Sequence, residues 1–213
     1  MTGQMCPGIL LYVRREAKLV RFMKKEIFAV LVLLLLIGGT YLLAGKERGG
    51  PVDDYTVLTG SIIQVTGLVE RSYNITYDEL SRLPAKNVEA PLYCVGEPGK
   101  VRKNGTWKGV PLKTVLELAG PQGGAYKVAL YASDGFTTDF YLNTVMGDEN
   151  IIIAYEFNGE PITPRIVAPG RWGYKWIKYL TKIELVSYDF KGTWESAGYP
   201  DDAYITDGSS PGR

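Results

Sequence analysis

The feature that limits the architecture of this chain most is an almost uninterrupted apolar run over residues 27–44. An uncharged run of this length crosses a bilayer core of about 30 Å as a slightly short helix. Basic side chains dominate the residues before it, and the positive-inside rule keeps such a segment cytoplasmic. We therefore predict a cytoplasmic basic segment over residues 1–26, a transmembrane anchor over residues 27–44 and an extracytoplasmic remainder.

A cleavable signal peptide is the alternative explanation of the same run. Met23 precedes two lysines and the apolar residues, which is typical of a signal start, so either Met1 or Met23 could be the initiator. Leu42, Leu43 and Ala44 match a small-x-small cleavage site poorly, which favours the uncleaved anchor. Both explanations place the globular part outside the cytoplasm, either on a single-pass membrane protein or exported after cleavage.

Composition divides the rest of the chain into three parts. Residues 45–54 are rich in Gly, Pro and charge, as in a linker, and residues 196–213 have the Ser, Asp, Gly and Pro content of a loose tail. Between them, residues 55–195 form one predicted domain, since the 46% hydrophobic content of the whole chain is ample for a packed core. Acidic side chains slightly outnumber basic ones beyond residue 45, which argues against a nucleic-acid partner.

Short Val-, Ile- and Thr-rich stretches separated by turn residues recur along the predicted domain and indicate β-strands. Thr76 and Glu79 form a capping box that predicts a short helix, and Pro111 and Gly120 bound a second one. The Asn104-Gly105 pair predicts a tight hairpin turn. Few helices and no βαβα alternation indicate an α+β domain with a mainly antiparallel or mixed sheet, or a partial barrel.

Cys94 is the most informative single residue. It ends an apolar stretch that reads as a buried strand, so the strand delivers a thiol to a loop. A buried thiol alone is more often a small core residue than a reactive group. The sequence contains no histidine, which excludes Ser-His-Asp and Cys-His nucleophilic sites, His-ligated zinc and bis-histidine haem. Cys6 lies on the other side of the predicted membrane and cannot pair with Cys94.

A second candidate site is the basic, aromatic and glycine-rich stretch over residues 168–178, which we call the basic loop. Arginine and lysine beside a glycine-rich turn and a helix start form a cradle for anions. Arg171, Lys175 and Lys178 belong to this loop, and Arg165 precedes it. The alternative is a solvated basic loop that binds nothing.

Several of these segments resemble one known family in the same order. They are Pro91-Leu92-Tyr93-Cys94, Trp107-x-Gly109-Val110-Pro111-Leu112, Ser133-Asp134-Gly135, Ala154-Tyr155-Glu156-Phe157-Asn158-Gly159-Glu160-Pro161, Pro164-Arg165 and Gly173-Tyr174-Lys175-x-x-Lys178. The chain resembles the oxidoreductase molybdopterin-binding domain of the sulfite oxidase family, which also includes bacterial methionine-sulfoxide reductase catalytic subunits. The resemblance implies that family's α+β fold.

The resemblance also implies roles for particular residues. Cys94 takes the position of the thiolate that binds molybdenum, and a soft thiolate suits a sulfur-rich metal centre. Tyr155 matches the family's active-site tyrosine, although a core tyrosine on a buried strand is nearly as good an interpretation. Arg165, Lys175 and Lys178 match positions that hold the phosphate of the pterin, and Arg171 joins them by its chemistry. The implied cofactor is a molybdenum-molybdopterin.

The implied function is a membrane-anchored, extracytoplasmic oxidoreductase that performs two-electron oxygen-atom transfer on a small substrate. Such a reaction needs an electron-transfer partner, and the chain has no haem or iron–sulfur motif of its own. We expect a haem- or quinone-linked membrane subunit, or else a soluble carrier. Members of the family carry a histidine before the Pro-x-Arg segment that this chain lacks. The alternative is therefore a cofactor-free binding or assembly module that kept the fold.

Overall fold

A computed structural model describes residues 61–97 and 99–206. The predicted cytoplasmic segment, anchor and linker lie outside the described residues, as do residues 55–60 of the predicted domain and residues 207–213 of the predicted tail. Among the residues that are described, no helix is long and apolar enough to cross a membrane.

Nine strands of the described residues form two sheets. The first has five strands in the order β2-β1-β9-β5-β6, and the second has four in the order β3-β4-β7-β8. Only β1 and β9 pair in parallel among these strands. The predicted mixed α+β class and mainly antiparallel pairing are confirmed. The strands are β1 (Ile62–Gly67), β2 (Tyr73–Thr76), β3 (Lys86–Tyr93), β4 (Val101–Pro111), β5 (Lys127–Ala132), β6 (Thr137–Tyr141), β7 (Ile152–Phe157), β8 (Glu160–Val167) and β9 (Leu180–Val186).

Three short helices connect these strands, and their ends follow the sequence signals. The first helix, α1 (Tyr77–Arg82), begins with the predicted capping box of Thr76 and Glu79. Helix α2 (Leu112–Ala119) follows Pro111 and ends at Gly120, whose φ of 69° is the left-handed conformation that glycine adopts most readily. Helix α3 (Leu142–Gly147) follows β6. Two single turns of 3-10 helix lie at Gly173–Lys175 and Glu195–Ala197.

The predicted hairpin turn at Asn104 and Gly105 is wrong, because β4 continues through both residues. Gly105 pairs with Ala90 of β3, and a side chain at this position would collide with Asn158. Asn158 instead uses its carboxamide oxygen to accept a hydrogen bond from the backbone of Thr106 at 2.9 Å. The glycine therefore serves a close approach between strands, and the actual reversal lies after Cys94.

Trp107 of β4 is the centre of the aromatic core beneath the second sheet. It is fully buried, and its ring contacts Phe157 at 4.2 Å and Trp176 at 5.7 Å between centroids. Its indole N–H donates to the carbonyl of Ala90 at 3.1 Å, so the buried polar group is satisfied. Because Trp176 belongs to the basic loop, the ring contact between Trp107 and Trp176 packs that loop against the second sheet.

A buried cluster of charges lies on the first sheet. Lys127 of β5 is fully buried, and its ammonium group lies 2.9 Å from Asp139, 2.7 Å from Asp201 and 2.8 Å from Asp189. Burial alone would lower the pKa of Lys127, but hydrogen bonds to the three carboxylates raise it above its ordinary value of 10.5. The charged form of the lysine is therefore the one that the fold stabilises.

The predicted loose tail packs against the protein as far as residue 206. Ala203 is buried, and its carbonyl accepts a hydrogen bond from the backbone of Trp172 at 2.9 Å. Tyr174 donates its hydroxyl to the carbonyl of Pro200 at 2.6 Å. These partners are far apart in sequence, so the polar composition of residues 196–206 gave no sign of them.

The charge cluster predicts how stability depends on pH. Burial opposes ionisation of Asp201, but hydrogen bonds from Lys127 and Lys191 hold its pKa below its ordinary value of 3.8. This contribution to stability is complete above the unfolded pKa and is lost as pH falls through the folded value, whereas that of Lys127 is lost as pH rises above 10.5. We expect the free energy of unfolding, measured in urea, to fall below about pH 4 and above about pH 10.

The matched test compares two neighbouring carboxylates. Asp201→Asn should flatten the acid limb of the stability profile, because the paired carboxylate is gone. Asp202→Asn removes an exposed neighbour and should leave that limb unchanged. Equal effects of the two substitutions would contradict the assignment to the buried cluster.

Candidate functional site

A cavity of about 310 Å³ opens where the end of β3 meets the turn between β5 and β6 and the basic loop. Its walls come from both sheets and are mostly apolar or aromatic. The lining residues are Leu92, Tyr93, Cys94, Val95, Arg102, Asp134, Phe136, Arg165, Gly173, Tyr174, Trp176, Ile177, Lys178 and Trp194. Their number and their origin in six parts of the chain make this cavity the candidate functional site.

Cys94 lies at the wall of the cavity, as the first residue after β3. Its thiol is free and its side chain is partly exposed. The backbone turns sharply here, because the amide of Glu97 donates to the carbonyl of Cys94 at 3.2 Å. Val95, the next residue, is buried and fixes the turn to a small second core. The sequence prediction that a strand delivers this thiol to a loop agrees with the structure.

The basic loop passes unusually close to the end of β3. A Cβ atom on Gly173 would lie 2.6 Å from the carbonyl oxygen of Tyr93, so only glycine fits without a backbone shift. Tyr93 and Trp172 also meet edge to face, with ring centroids 6.5 Å apart. This close approach places the loop side chains around the same space as the Cys94 thiol.

Basic side chains form one wall of the cavity. Arg165 of β8 is 4% exposed, donates to the carbonyl of Trp176 at 2.9 Å and lies 5.2 Å from the ring of Trp107. Lys178 lines the cavity nearby, and Arg102 contributes a third cation that is ion-paired with Glu97. Asp134 is the one acid among the fourteen lining residues. The balance of charge at the wall favours an anionic ligand.

Two residues predicted to hold an anion point elsewhere. Lys175 is fully buried and its ammonium group lies 2.6 Å from Glu195. Arg171 is 2% exposed, and its guanidinium lies 3.2 Å from Asp148 and 3.1 Å from the hydroxyl of Tyr204. Neither residue lines the cavity. Their predicted contact with a cofactor stays a prediction, and in the structure both pair with internal acceptors.

Tyr155 lies on β7 and is only 5% exposed. Its ring packs edge to face against Tyr77 at 5.9 Å, and the ammonium group of Lys108 lies 6.0 Å from it. Burial raises the pKa of Tyr155, and the charge of Lys108 opposes the shift. The phenol is therefore protonated near neutral pH, but the residue does not line the cavity, and its catalytic role stays a prediction.

A match to a family model agrees with this architecture. Residues 58–194 match the oxidoreductase molybdopterin binding domain. The chain belongs to this family. The match covers more than half of the sequence, and it includes both sheets and the whole lining of the cavity.

Proteins that are similar to this chain include several different oxidoreductases. An uncharacterised oxidoreductase of Bacillus subtilis, YuiH, is 31% identical in an alignment of 156 positions that covers 70% of this chain and 77% of that protein. A sulfite oxidase of Arabidopsis thaliana is 24% identical over 72% of this chain and 49% of its own length. A petunia nitrate reductase is 28% identical over 65% of this chain and 18% of its own length.

A solved structure supports the fold independently. The sulfane dehydrogenase SoxCD of Paracoccus pantotrophus superimposes with a TM-score of 0.54 at 23% identity. The alignment covers 60% of this chain and 38% of that one. This chain therefore spans half or less of several of the oxidoreductases that it is similar to.

The family implies a molybdenum-molybdopterin cofactor, and the cavity suits such a group. A soft thiol for the metal is present in Cys94, and cations for an anionic phosphate are present in Arg165 and Lys178. Aromatic walls of Trp176, Tyr174 and their neighbours offer flat surfaces to a planar ring system. The donor set thus fits the cofactor at both its metal end and its phosphate end.

Sequence reasoning missed several residues of the wall. Arg102, Phe136 and Trp194 carried no motif that ties them to Cys94, and only the fold brings them together. Asp134 stands in a segment that matched the family, although no role was assigned to it. Its carboxylate accepts a hydrogen bond from the backbone of Phe136 at 3.0 Å and shapes the turn there.

The close approach of the basic loop yields a testable prediction. Gly173→Ala should destabilise the protein by about 2 kcal/mol, because the new methyl group overlaps the Tyr93 carbonyl. Gly123→Ala is the control, since its Cβ would meet nothing within 4 Å and should change stability by less than about 0.5 kcal/mol. Urea unfolding measures the stability of both variants. Equal stabilities would show that the basic loop can shift without cost and would contradict the prediction.

Proposed function

We propose that the chain is a molybdopterin-dependent oxidoreductase that carries out two-electron oxygen-atom transfer on a small substrate. One observation carries the proposal: the Cys94 thiol and the cations Arg165 and Lys178 line one cavity in a domain of this family. The names of the sulfite oxidase, nitrate reductase and sulfane dehydrogenase relatives indicate small oxidised or oxidisable substrates for those proteins. They support the same substrate class here.

The proposal gives each residue a distinct task. Cys94, as a thiolate, ligates the metal, and Arg165 and Lys178 neutralise the phosphate of the pterin. When bound, the cofactor supplies the redox chemistry of the reaction. The aromatic walls lower the local polarity around these side chains, which strengthens their electrostatic interactions.

Arg102 is positioned to meet the substrate. It lines the cavity and is exposed, and it is held by the carboxylate of Glu97 in the turn that follows Cys94. An arginine offers a planar pair of donors to an oxyanion or to a polar S–O or N–O group. We assign the orientation of the substrate to Arg102 and part of the shape of the cavity wall to Phe136 and Trp194.

We further propose that residues 27–44 anchor the protein with its domain on the extracytoplasmic side of the cell membrane. Supporting this are the apolar run and the basic residues before it. Electrons then pass between the cofactor and a haem- or quinone-linked membrane subunit, with a soluble carrier as the alternative. Confining both proteins to one plane raises their effective concentration, which favours the membrane partner.

Metal analysis tests the proposed ligand directly. Protein isolated from a host that makes the cofactor should contain about one equivalent of molybdenum, and Cys94→Ser should lower this by about tenfold or more. Cys6→Ser, at the other cysteine of the chain, is the matched control and should keep its molybdenum. Circular dichroism of each variant verifies that the fold is intact.

A metal-free wild-type protein from that host would contradict the proposal. It would favour the alternative of a binding or assembly module. Molybdenum retained in folded Cys94→Ser would instead contradict the assignment of the ligand alone.

Removal of residues 1–45 tests the membrane partner. Turnover with small artificial redox dyes should be unchanged, because the described lining residues of the cavity all lie between residues 92 and 194. Turnover with native membranes should fall by about tenfold or more, because the shared plane is lost. Equal turnover of truncated and full-length protein with membranes would point to the soluble carrier.

A further inference from the structure

A second ion pair of the described residues is buried directly behind the cavity. The ammonium group of Lys175 lies 2.6 Å from the carboxylate of Glu195 and 3.7 Å from that of Asp139, and all three side chains are inaccessible to solvent. Lys175 also donates to the carbonyl of Asp139 at 2.7 Å. The hydroxyl of Thr138 donates to Glu195 at 2.6 Å. Both charges are therefore paired within the protein, although the second carboxylate oxygen of Glu195, Oε2, is buried without a hydrogen-bond partner among the described residues.

The neighbours of this pair in sequence form the wall of the cavity. Tyr174 and Trp176, on either side of Lys175, line it, and so does Trp194, which precedes Glu195. Successive side chains of a 3-10 turn point in directions about 120° apart, so Lys175 and Glu195 can be buried while their neighbours Tyr174, Trp176 and Trp194 line the cavity. A shift of either charged residue would therefore move an aromatic wall residue.

Further contacts join the same two segments. We call residues 192–205 the C-terminal segment. Its residue Pro200 accepts the hydroxyl of Tyr174 at 2.6 Å, and Ala203 accepts the amide of Trp172 at 2.9 Å. The amide of Ile205 donates to the carbonyl of Gly170 at 2.9 Å. The basic loop is thus held by the C-terminal segment along most of its length.

We propose that Lys175 and Glu195 are positioning residues, whose ion pair sets the basic loop so that its side chains close the cavity around Cys94. The C-terminal segment is on this account a part of the binding site. Lys175 acts from behind the cavity wall and does not contact the phosphate of the pterin. The family resemblance, in contrast, implies that it does. The effect of the pair on cofactor retention rests on the proposed function, whereas its effect on the loop does not.

The physical basis is the penalty for an unpaired buried charge. Removing one partner of a buried pair leaves the other charge without compensation in a site that water does not reach. The protein relieves this by moving the remaining charge towards solvent. For Lys175 or Glu195, that movement displaces the loop or the C-terminal segment and opens the cavity.

Amide hydrogen exchange on the cofactor-free, full-length protein measures the position of the loop without any activity assay. Lys175→Met and Glu195→Gln keep the approximate size of each side chain and remove its charge. Each should accelerate exchange by about tenfold in the peptide that contains the amides of Trp172 and Trp176, since local opening controls their exchange. Unchanged exchange in both variants would overturn the proposal.

The double variant tests whether the two residues act through one contact. If they do, the combined change should accelerate exchange no more than the faster single variant. Multiplied effects of the two substitutions would mean that they act separately and would overturn the shared ion pair as the cause.

Leu116→Ala is the control for general destabilisation. Leu116 is fully buried on α2, and no residue of α2 lines the cavity, whereas Lys127 is unsuitable because it binds Asp201 of the C-terminal segment. Leu116→Ala should lower global stability and leave exchange in the loop peptide within about twofold of wild type under native conditions. An acceleration as large as that of Lys175→Met would assign the effect to general destabilisation and overturn the proposal.

Molybdenum content separates this inference from the proposed function. In protein from a host that makes the cofactor, Lys175→Met should retain about tenfold less molybdenum than wild type while Leu116→Ala retains it. Full retention in Lys175→Met would overturn the positioning role at the cofactor site. Absence of molybdenum from wild type would instead contradict the proposed function, and the exchange results would still decide whether the pair sets the loop.

Discussion

The carboxylate of Asp139 is the point on which the arrangement of this domain depends. It is fully buried on β6 and lies close to two buried lysines. Lys127 precedes it in the sequence, and Lys175 follows it. Lys127 belongs to the neighbouring strand and Lys175 to the basic loop. A buried carboxylate requires such partners, because an unpaired charge in the interior carries a large desolvation penalty. The need to satisfy one acid thus orients a strand, a loop and the segment that brings Glu195.

The candidate site follows from this arrangement. The second sheet supplies the thiol and Arg165, whereas the first sheet supplies the turn with Asp134 and Phe136. The basic loop closes the space between them, since Gly173 allows it to approach the end of β3. A soft sulfur and the cations Arg165 and Lys178 thereby line one cavity with aromatic walls. This combination suits a sulfur-binding metal carried on an anionic organic group.

Local signals in the sequence were sufficient for much of the fold. The capping box at Thr76, the left-handed end of α2 at Gly120 and the strand that ends before Cys94 all depend on neighbouring residues. The turn expected at Asn104 and Gly105 failed because contacts with β3 and Asn158 override local preference.

The family resemblance identified some residues that line the candidate site and misplaced others. Cys94, Arg165 and Lys178 come together as expected, but Lys175 and Arg171 do not face the cavity. The positive charges of Lys175 and Arg171 suggested an anionic ligand. The acidic residues that pair with them, Glu195 and Asp148, are distant in sequence and belong to no recognisable motif. Trp194 was missed for the same reason.

The shallow packing of the C-terminal segment also determines how the wall of the cavity can open. Trp194 lines the cavity, and Pro200 and Ala203 accept hydrogen bonds from Tyr174 and Trp172 of the basic loop. Most residues of this segment are partly or fully exposed. A segment with few buried residues opens locally at a lower free energy than the whole domain unfolds. We therefore expect this wall to open while both sheets remain folded, which gives a ligand a route in and out that does not require global unfolding.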